Sequence, residues 1–249
     1  AYRTLLGEMM YAYVTCRPNI GYAITTMSKF STKPSAKHYE LLRGIGKYLR
    51  LTKDWGIKFK RTIPNPALDD TKFKTNVELP SNLPEFTVDI NQPKLIAFVD
   101  ASYANDPRKR RSTTGFVFTY CGGAVVYRSK SQSITALSST EAEFLAAVSC
   151  AKIALYLRSI LDELGFGDPE PTQIYEDNAS TIMIVNSQVP TERARHIYVQ
   201  YFAIQDWKEW GSIELIHIPG VINPADDLTK PLGWVLHSRH CRRFMGHYT

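Results

Sequence analysis

Three short apolar runs in the middle of the chain indicate its fold class: LIAFVD (residues 95–100), GFVF (residues 115–118) and AVVY (residues 124–127). Short runs rich in β-branched and aromatic residues, bounded by turn residues, are typical of buried strands. The second and third runs are joined through Cys121-Gly122-Gly123, which predicts a tight turn. We therefore expect consecutive strands joined by short connections in this part of the chain.

Helices and strands alternate in the sequence that follows. A long apolar pattern predicts a helix from about Ser139 to Leu164, ended by Gly165. Further runs predict strands at 173–176 and 213–218, and helices at 178–186 and 199–210. Three strands joined by tight turns and followed by this alternation predict an α/β fold, a five-stranded mixed sheet with flanking helices.

The first 60 residues have a helical pattern and a strong basic excess. Apolar positions at helical spacing predict helices over Tyr2–Val14 and Ile20–Phe30, and Ser35 can cap a third helix. This segment has 11 basic and 3 acidic residues, whereas residues 94–249 have 16 of each. The net charge of +6 therefore comes from a small helical subdomain, whose basic face we expect to lie in solvent.

A proline-rich stretch separates the two patterns. Residues 61–93 contain five prolines together with several Asn and Asp residues, which is typical of a linker or a surface excursion. The sequence thus predicts a helical subdomain at 1–60, a linker at 61–93, an α/β domain at 94–233 and a basic helix or tail at 234–249.

The composition excludes several classes of protein. With 44% hydrophobic and 22% charged residues, the chain can bury a core of ordinary size and is not disordered. No run approaches the ~18–20 apolar residues of a membrane span, and the N-terminus lacks the pattern of a signal peptide. Four scattered cysteines without a CxxC pair are typical of free thiols in a reducing compartment. We therefore expect an intracellular protein without a membrane partner.

Acidic residues recur where the predicted elements join. Asp100 ends the first strand, Asp177 follows the fourth strand, and Asp226 lies just inside a helix that begins at Asn223-Pro224. Each of them alone equally suits a solvated strand end or a helix cap. Their recurrence at the same kind of junction is what suggests a common site.

The fourth acid is chosen by helical phase. At about 100° per residue, Glu143 lies in line with Ala147 and Cys150, on the face turned toward the sheet. Glu141 points roughly 160° away, toward solvent, and its spacing from Ser138 suits a capping box. A buried, ionised glutamate without a partner is costly, so Glu143 requires a cation or a hydrogen-bond donor. The geometry favours Glu143 as functional and Glu141 as structural.

Convergent carboxylates without His or Cys are hard oxygen ligands, which favour Mg²⁺ or Mn²⁺ over Zn²⁺. Two such ions, ~3.5–4 Å apart, can activate a water and stabilise the leaving oxygen in phosphodiester cleavage. The sequence thus predicts two Mg²⁺ ions, with Mn²⁺ as an alternative, held by Asp100, Glu143, Asp177 and Asp226. A set of unrelated caps and strand ends is the alternative interpretation.

Ordered motifs extend this prediction. They are VDASY (99–103), RRSTTGF (110–116), SKSQ (129–132), ALSSTEAEF (136–144), DN (177–178), RHI (195–197) and ADDLTKPL (225–232). With them, the chain resembles the reverse transcriptase–ribonuclease H region of copia-type LTR retrotransposon Pol polyproteins. RPNI (17–20) and residues 38–49 are similar to the segment that follows the polymerase palm in that family.

The resemblance implies a ribonuclease H fold for residues 94–233 and hydrolysis of the RNA strand of an RNA–DNA hybrid. The family's metal-binding carboxylates match Asp100, Glu143, Asp177 and Asp226. The helices of residues 1–60 would be the thumb-side remainder of a reverse transcriptase, with its palm and fingers as partners. No Tyr-x-Asp-Asp turn occurs, so polymerase activity is not expected. The implied location is a virus-like particle in the cytoplasm, or the nucleus.

Basic and hydroxyl side chains near the motifs are candidates for contacts with the hybrid. They are Arg110, Arg111, Lys130, Ser138, Ser139, Thr140 and Arg195. Such groups bind phosphates, and contacts to 2′-hydroxyls distinguish a hybrid from DNA. A solvated surface role is the alternative for each. For the whole chain, the alternatives are a non-catalytic nucleic-acid-binding remnant and a structural module that binds a missing palm.

Histidines outside the motifs invite two further hypotheses. His217 shares a predicted strand face with apolar residues, which favours a packed histidine over a role in proton transfer or product release. Near the C-terminus, His237, His240, Cys241 and His247 suggest zinc, but no second ligand pair has suitable spacing. A terminal helix with basic residues is the favoured interpretation there.

Overall fold

The computed structural model describes residues 1–59, 93–106, 108–187 and 198–246. Its α-helices are α1 (Tyr2–Thr15), α2 (Gly21–Ser28), α3 (Ala36–Leu51), α4 (Ser139–Glu163), α5 (Ala179–Asn186), α6 (Tyr198–Glu209) and α7 (Trp234–Met245). Its strands are β1 (Ile96–Ser102), β2 (Thr113–Tyr120), β3 (Gly123–Ser131), β4 (Thr172–Glu176) and β5 (Ile213–His217). Apart from Pro93, the linker predicted at 61–93 lies outside the described residues.

The five strands form one mixed sheet in the order β3-β2-β1-β4-β5. β2 pairs antiparallel with both β1 and β3, whereas β4 pairs parallel with both β1 and β5. The β2–β3 hairpin turns at Cys121 and Gly122, which both have positive φ (50° and 81°), as the tight hairpin turn of type I′ requires. The predicted five-stranded mixed sheet with flanking helices and the helical N-terminal part are therefore confirmed.

Strand β1 continues beyond Asp100, where the sequence predicted its end. Its pairing with β2 extends to the pair Ser102↔Thr113, but its pairing with β4 stops at Phe98↔Tyr175. The two parallel strands separate beyond that pair, so Asp100 lies at the opening between them. Such openings at the carboxyl ends of parallel strands are where α/β sheets bind ligands.

The two faces of the sheet are covered by different elements. Helix α4 covers one face with the buried side chains of Ala142, Phe144, Ala147, Cys150 and Ala154. By length and composition α4 could cross a membrane, but this buried stripe makes it the core helix of the α/β part. The other face is covered by a short turn and α7, through Ala225, Leu228, Cys241 and Phe244.

The helix predicted to begin at Asn223 is a single 3-10 turn, Pro224–Leu228. Pro231 has no N–H to donate to the carbonyl of Asp227, four residues earlier, so an α-helix cannot continue through this point. The side chain of Asn223 closes the turn by accepting a hydrogen bond from the N–H of Ala225 at 3.1 Å. Asp226 is therefore carried on a short buried turn, not on a helix.

Helices α1–α3 have their own small core and pack against β3, the edge strand of the sheet. The hydroxyl of Tyr127 donates to the carbonyl of Tyr13 at 2.7 Å, and the Tyr13 hydroxyl accepts from the N–H of Ser129 at 3.0 Å. These contacts cover an edge that could otherwise pair with another strand. They also fix the helices relative to the sheet.

Candidate metal centre

Three carboxylates meet at the opening between β1 and β4. Asp100 comes from β1, Glu143 from the N-terminal part of α4, and Asp177 from the residue after β4. One carboxylate oxygen of each lies within 4.8 Å of one from each of the others. Asp100 and Glu143 are buried and Asp177 is half-buried. Three of the four acids selected from the sequence therefore converge on one point.

Glu143 lies in an environment that opposes its ionisation. Burial, together with the nearby carboxylates of Glu176, Asp100 and Asp177, raises the pKa of Glu143 to about 11. Its Oε2 has no hydrogen-bond partner within the described ranges. A buried acceptor surrounded by other acids requires a proton or a cation. The donor set of hard oxygens therefore fits a divalent cation such as Mg²⁺.

Glu176, the last residue of β4, is a fifth acid that was not among the predicted ligands. It is fully buried, and its Oε1 accepts a hydrogen bond from the N–H of Asn178 at 3.0 Å. Its Oε2 has no partner in the described part of the chain. Burial raises the pKa of Glu176, and the charges of Asp177 and Asp100 raise it further. The sequence contained an indication of this burial. Side chains two residues apart on a strand point to the same face, so Glu176 faces α4 together with the buried Ile174.

Asp226 lies beside this group and is paired with a lysine. The Nζ of Lys230 is 2.7 Å from its Oδ1. Burial and the charge of Asp100 raise the pKa of Asp226, Lys230 lowers it, and the net result is a pKa of about 7. Asp226 is not one of the three acids that share the 4.8 Å limit, although its charge interacts with those of Asp100 and Asp177. Lys230 thus supplies positive charge to the carboxylates.

Two side chains attach the turn that carries Asp226 to strand β1. Asn223 donates through Nδ2 to the carbonyl of Val99 at 2.8 Å, and the Thr229 hydroxyl donates to Oδ2 of Asp100. On the neighbouring strand, a Cβ atom at Gly115 would lie 3.0 Å from a carbonyl oxygen of the turn. Neither Asn223 nor Thr229 was a predicted site residue, because only the tertiary contact reveals their role.

His217 is exposed, so its interpretation as a packed strand histidine is wrong. It is the last residue of β5 and pairs with Glu176 at the open end of the sheet. There its Nε2 donates to the carbonyl of Asp177 at 3.2 Å. The alternation of side chains along β5 predicted that His217 is buried. Alternation does not show where the elements that pack over a strand end.

Glu141 is buried, which contradicts the prediction that it points into solvent. The Ser138 hydroxyl accepts from the N–H of Glu141 at 3.1 Å, as in the predicted capping box. The Glu141 carboxylate, however, accepts from the N–H of Leu137 at 2.8 Å and not from that of the cap residue. The chain before the helix folds back over Glu141, and helical phase alone cannot show this.

The candidate hybrid-binding residues differ in exposure. Arg110, Lys130, Ser138 and Ser139 are exposed, and Arg111 and Thr140 are half-buried. Lys130 and Lys152 line a groove of about 220 Å³ between β3 and α4. Arg195 lies outside the described residues. A role for any of them in binding nucleic acid stays a prediction.

Similar sequences cover almost the whole chain. The chain is 32% identical over 229 residues to the retrovirus-related Pol polyprotein from transposon TNT 1-94 of Nicotiana tabacum, covering 92% of the chain and 15% of that protein. It is 29% identical over 231 residues to the corresponding polyprotein from transposon RE1 of Arabidopsis thaliana, covering 93% of the chain and 14% of that protein. Over 156 residues it is 31% identical to secreted RxLR effector protein 161 of Plasmopara viticola, covering 63% of the chain and 90% of that protein. No protein-family profile matches the chain.

Among solved structures, LC11-RNase H1, isolated from compost, matches 55% of this chain over 94% of its own length, with a TM-score of 0.44 and 18% identity. The protease-reverse transcriptase of prototype foamy virus matches 62% of this chain over 20% of its length, with a TM-score of 0.36 and 16% identity. The chain itself spans about 15% of the length of the polyproteins that it matches.

Proposed function

We propose that the α/β part of this chain, which belongs to the retrovirus-related Pol polyproteins of copia-type LTR retrotransposons, hydrolyses the RNA strand of an RNA–DNA hybrid. The chain contains the ribonuclease H-like part of such a polyprotein and the helices that precede it. The chain spans about 15% of the length of those relatives. What a whole polyprotein of this kind does, and with which partners, therefore applies to this chain only as part of the proposal.

The convergence of Asp100, Glu143 and Asp177 carries the proposal. The three residues are 34 or more positions apart in the sequence, yet their oxygens lie within 4.8 Å of one another. Like charges at this distance destabilise the folded chain unless a proton or a cation offsets them. A purely structural domain gains nothing from such a group, whereas a nuclease that binds divalent cations requires one.

These three carboxylates, with Asp226 beside them, would hold the divalent cation. The chemistry that such a cation supplies is Lewis-acid polarisation of the phosphodiester and activation of a water. The chain's own groups prepare the acids to bind it. The Thr229 hydroxyl orients Asp100 through its Oδ2. Lys230 pairs with Asp226, where its positive charge lowers the pKa that burial raises and offsets part of the negative charge of the acids while no cation is bound.

Two further parts of the chain have a proposed role in binding nucleic acid. The exposed Arg110 and Lys130 would contact phosphates of the hybrid, and contacts to 2′-hydroxyls would select the RNA strand. Helices α1–α3, with the basic excess of the first 60 residues, would contact nucleic acid next to the missing palm and fingers.

A cleavage assay with the full 249-residue chain tests the proposed activity. We expect a labelled RNA–DNA hybrid to be cut in Mg²⁺, and the same labelled RNA paired with RNA to stay intact. Asp100→Asn and Glu143→Gln should each abolish the cleavage. Glu163→Gln, an exposed position at the far end of the same helix as Glu143, is the matched control and should cleave like the parent chain.

Two outcomes would contradict the proposal. Absence of cleavage in both Mg²⁺ and Mn²⁺, together with salt-dependent binding of the hybrid, would identify a non-catalytic nucleic-acid-binding protein. Cleavage that survives both carboxylate substitutions would place the activity outside the group of three acids.

A further inference from the structure

A second group of metal-ligating side chains lies on the other face of the sheet. Asp227, His237 and Cys241, here called the mixed cluster, place a carboxylate oxygen, an imidazole nitrogen and a thiol sulfur within 4.8 Å of one another. Asp227 comes from the 3-10 turn, and the other two lie one helical turn apart on α7. Asp227 and Cys241 are buried, and His237 is half-buried.

The distances in the mixed cluster suit a tetrahedral ion. The Sγ of Cys241 is 3.7 Å from Nδ1 of His237 and 3.6 Å from Oδ2 of Asp227. Ligand atoms around a tetrahedral zinc ion, at ~2.0–2.3 Å from the metal, lie about 3.3–3.8 Å apart. The remaining contact, 2.5 Å from Nδ1 of His237 to Oδ1 of Asp227, is a hydrogen bond that an ion would replace.

Neighbouring residues hold His237 in place for such a role. The Tyr48 hydroxyl lies 2.9 Å from its Nε2, and Asn19 donates to that hydroxyl through Nδ2 at 2.6 Å. Metal-bound histidines commonly have their second ring nitrogen fixed in this way, which sets the ring orientation. Nδ1 thereby faces the carboxylate of Asp227, and the thiol of Cys241 lies beside both groups.

Charge balance points in the same direction. One carboxylate and one thiolate offset the two positive charges of a divalent cation, and the imidazole binds as a neutral ligand, so the occupied cluster has no net charge. A neutral group is the form in which ionisable side chains are tolerated in a buried position. A groove of about 470 Å³, lined in part by Tyr48, Asp227 and His237, gives water access for a fourth ligand position.

We propose that Asp227, His237 and Cys241 form a Zn²⁺ site. Nitrogen and sulfur ligands select Zn²⁺ over Mg²⁺, which prefers oxygen alone. The site is thus chemically distinct from the three-carboxylate group and is independent of the proposed nuclease activity. The ion would join the turn that carries Asp226 to α7, next to the contact between Tyr48 of α3 and His237.

This proposal revises the interpretation of the C-terminal histidines. In the sequence, His237, His240, Cys241 and His247 suggested zinc, but no second ligand pair had suitable spacing. The third ligand is Asp227, which lies ten residues earlier on a separate element and was not predicted to be a ligand. His240 is fully buried but is not a member of the mixed cluster.

Cobalt substitution in the full chain tests the site. After removal of metal with a chelator, one equivalent of Co²⁺ should give the near-ultraviolet thiolate-to-cobalt charge-transfer band and the strong visible bands of a four-coordinate ion. One equivalent of Zn²⁺ should remove both, whereas millimolar Mg²⁺ should leave them unchanged. Because the three-carboxylate group has no sulfur, it cannot produce the charge-transfer band.

Matched variants assign the sulfur ligand. Cys241→Ser should lose the charge-transfer band and Asp227→Asn should weaken Co²⁺ binding at least tenfold, whereas Cys16→Ser, at an exposed cysteine, should behave like the parent chain. Absence of the band in the parent chain overturns the proposal, and so does a band that persists in Cys241→Ser. If Cys241→Ser does not fold, the double variant Cys16→Ser/Cys121→Ser must keep the band and Asp227→Asn must still weaken binding, and failure of either overturns the site.

Discussion

Gly115 lies opposite Asp100 in the ladder between β1 and β2, and a Cβ atom at Gly115 would lie 2.5 Å from Cγ2 of Thr229. Thr229 is the residue whose hydroxyl donates to Asp100. The backbone of β2 is therefore in direct contact with the turn that orients the first carboxylate. No side chain fits between them without moving that turn.

Gly115→Ala should consequently impair cleavage without removing any polar group. The added methyl would displace the turn, and a displacement of about 1 Å at a catalytic group can cost ~100-fold in rate. Overpacking should also lower the free energy of unfolding by about 1–3 kcal/mol. Hybrid cleavage and urea denaturation measure the two effects. Gly7→Ala, at an open helical position, is the control and should stabilise the chain by about 0.5–1 kcal/mol. If Gly115→Ala cleaves the hybrid like the parent chain, the contact between Gly115 and Thr229 does not matter for cleavage.

Stability of the metal-free chain should fall as pH rises. The pKa values of Glu143 and Asp226 are raised from 4.5 to about 11 and from 3.8 to about 7, so the folded state keeps protons that the unfolded state has released. The free energy of unfolding then decreases from about pH 4 upward, until about pH 7 through Asp226 and further through Glu143. Thermal unfolding in a chelator across this range measures the effect. Mg²⁺ should reverse it by binding the folded state.

Glu143→Gln should separate stability from activity. With the buried acid removed, the metal-free variant should melt several degrees above the parent chain at pH 8, and at nearly the same temperature at pH 4, where the parent glutamate is mostly protonated in both states. It should not cleave the hybrid. A variant that is less stable than the parent at pH 8 would show that Glu143 has an ion-pair partner that offsets its burial.

Glu176→Gln should have a milder effect on cleavage. Glu176 contributes the largest of the charge effects that raise the pKa of Glu143, after burial, so the substitution should lower that pKa and raise metal-free stability. We expect cleavage to remain within about tenfold of the parent value, with its pH profile shifted to lower pH. A loss as complete as that of Glu143→Gln would instead make Glu176 a ligand of the cation.

Lys230→Met tests the positive charge beside Asp226. The 2.7 Å ion pair is lost, so the negative potential at the carboxylates increases. Half-saturation of cleavage should then need about 2- to 10-fold less Mg²⁺, a range that corresponds to about 0.4–1.4 kcal/mol, while the metal-free chain should be less stable. Lys53→Met, an exposed lysine after α3, controls for net charge. An unchanged Mg²⁺ requirement would show that Lys230 acts on Asp226 alone.

Sequence patterns predicted those features of the molecule that depend on residues close together along the chain. Alternation and helical period located the strands and α4, and the phase of α4 placed Glu143, not Glu141, with Asp100 and Asp177. Two failures share one cause. Glu141 and His217 were assigned to the wrong environment, because helical phase and strand alternation describe one element and not what covers its ends.

The order of the elements, the mixed sheet and the three converging acids could be predicted from the amino-acid sequence, because each depends on residues that are neighbours along the chain or on one face of an element. The hydrogen bond from Thr229 to Asp100, the ion pair of Lys230 with Asp226 and the contact of Asp227 with Cys241 are visible only in the folded chain. Those contacts depend on the path of one short 3-10 turn across the sheet. The turn is held there by packing on Gly115 and by the bond from Asn223 to Val99, which no period in the sequence encodes.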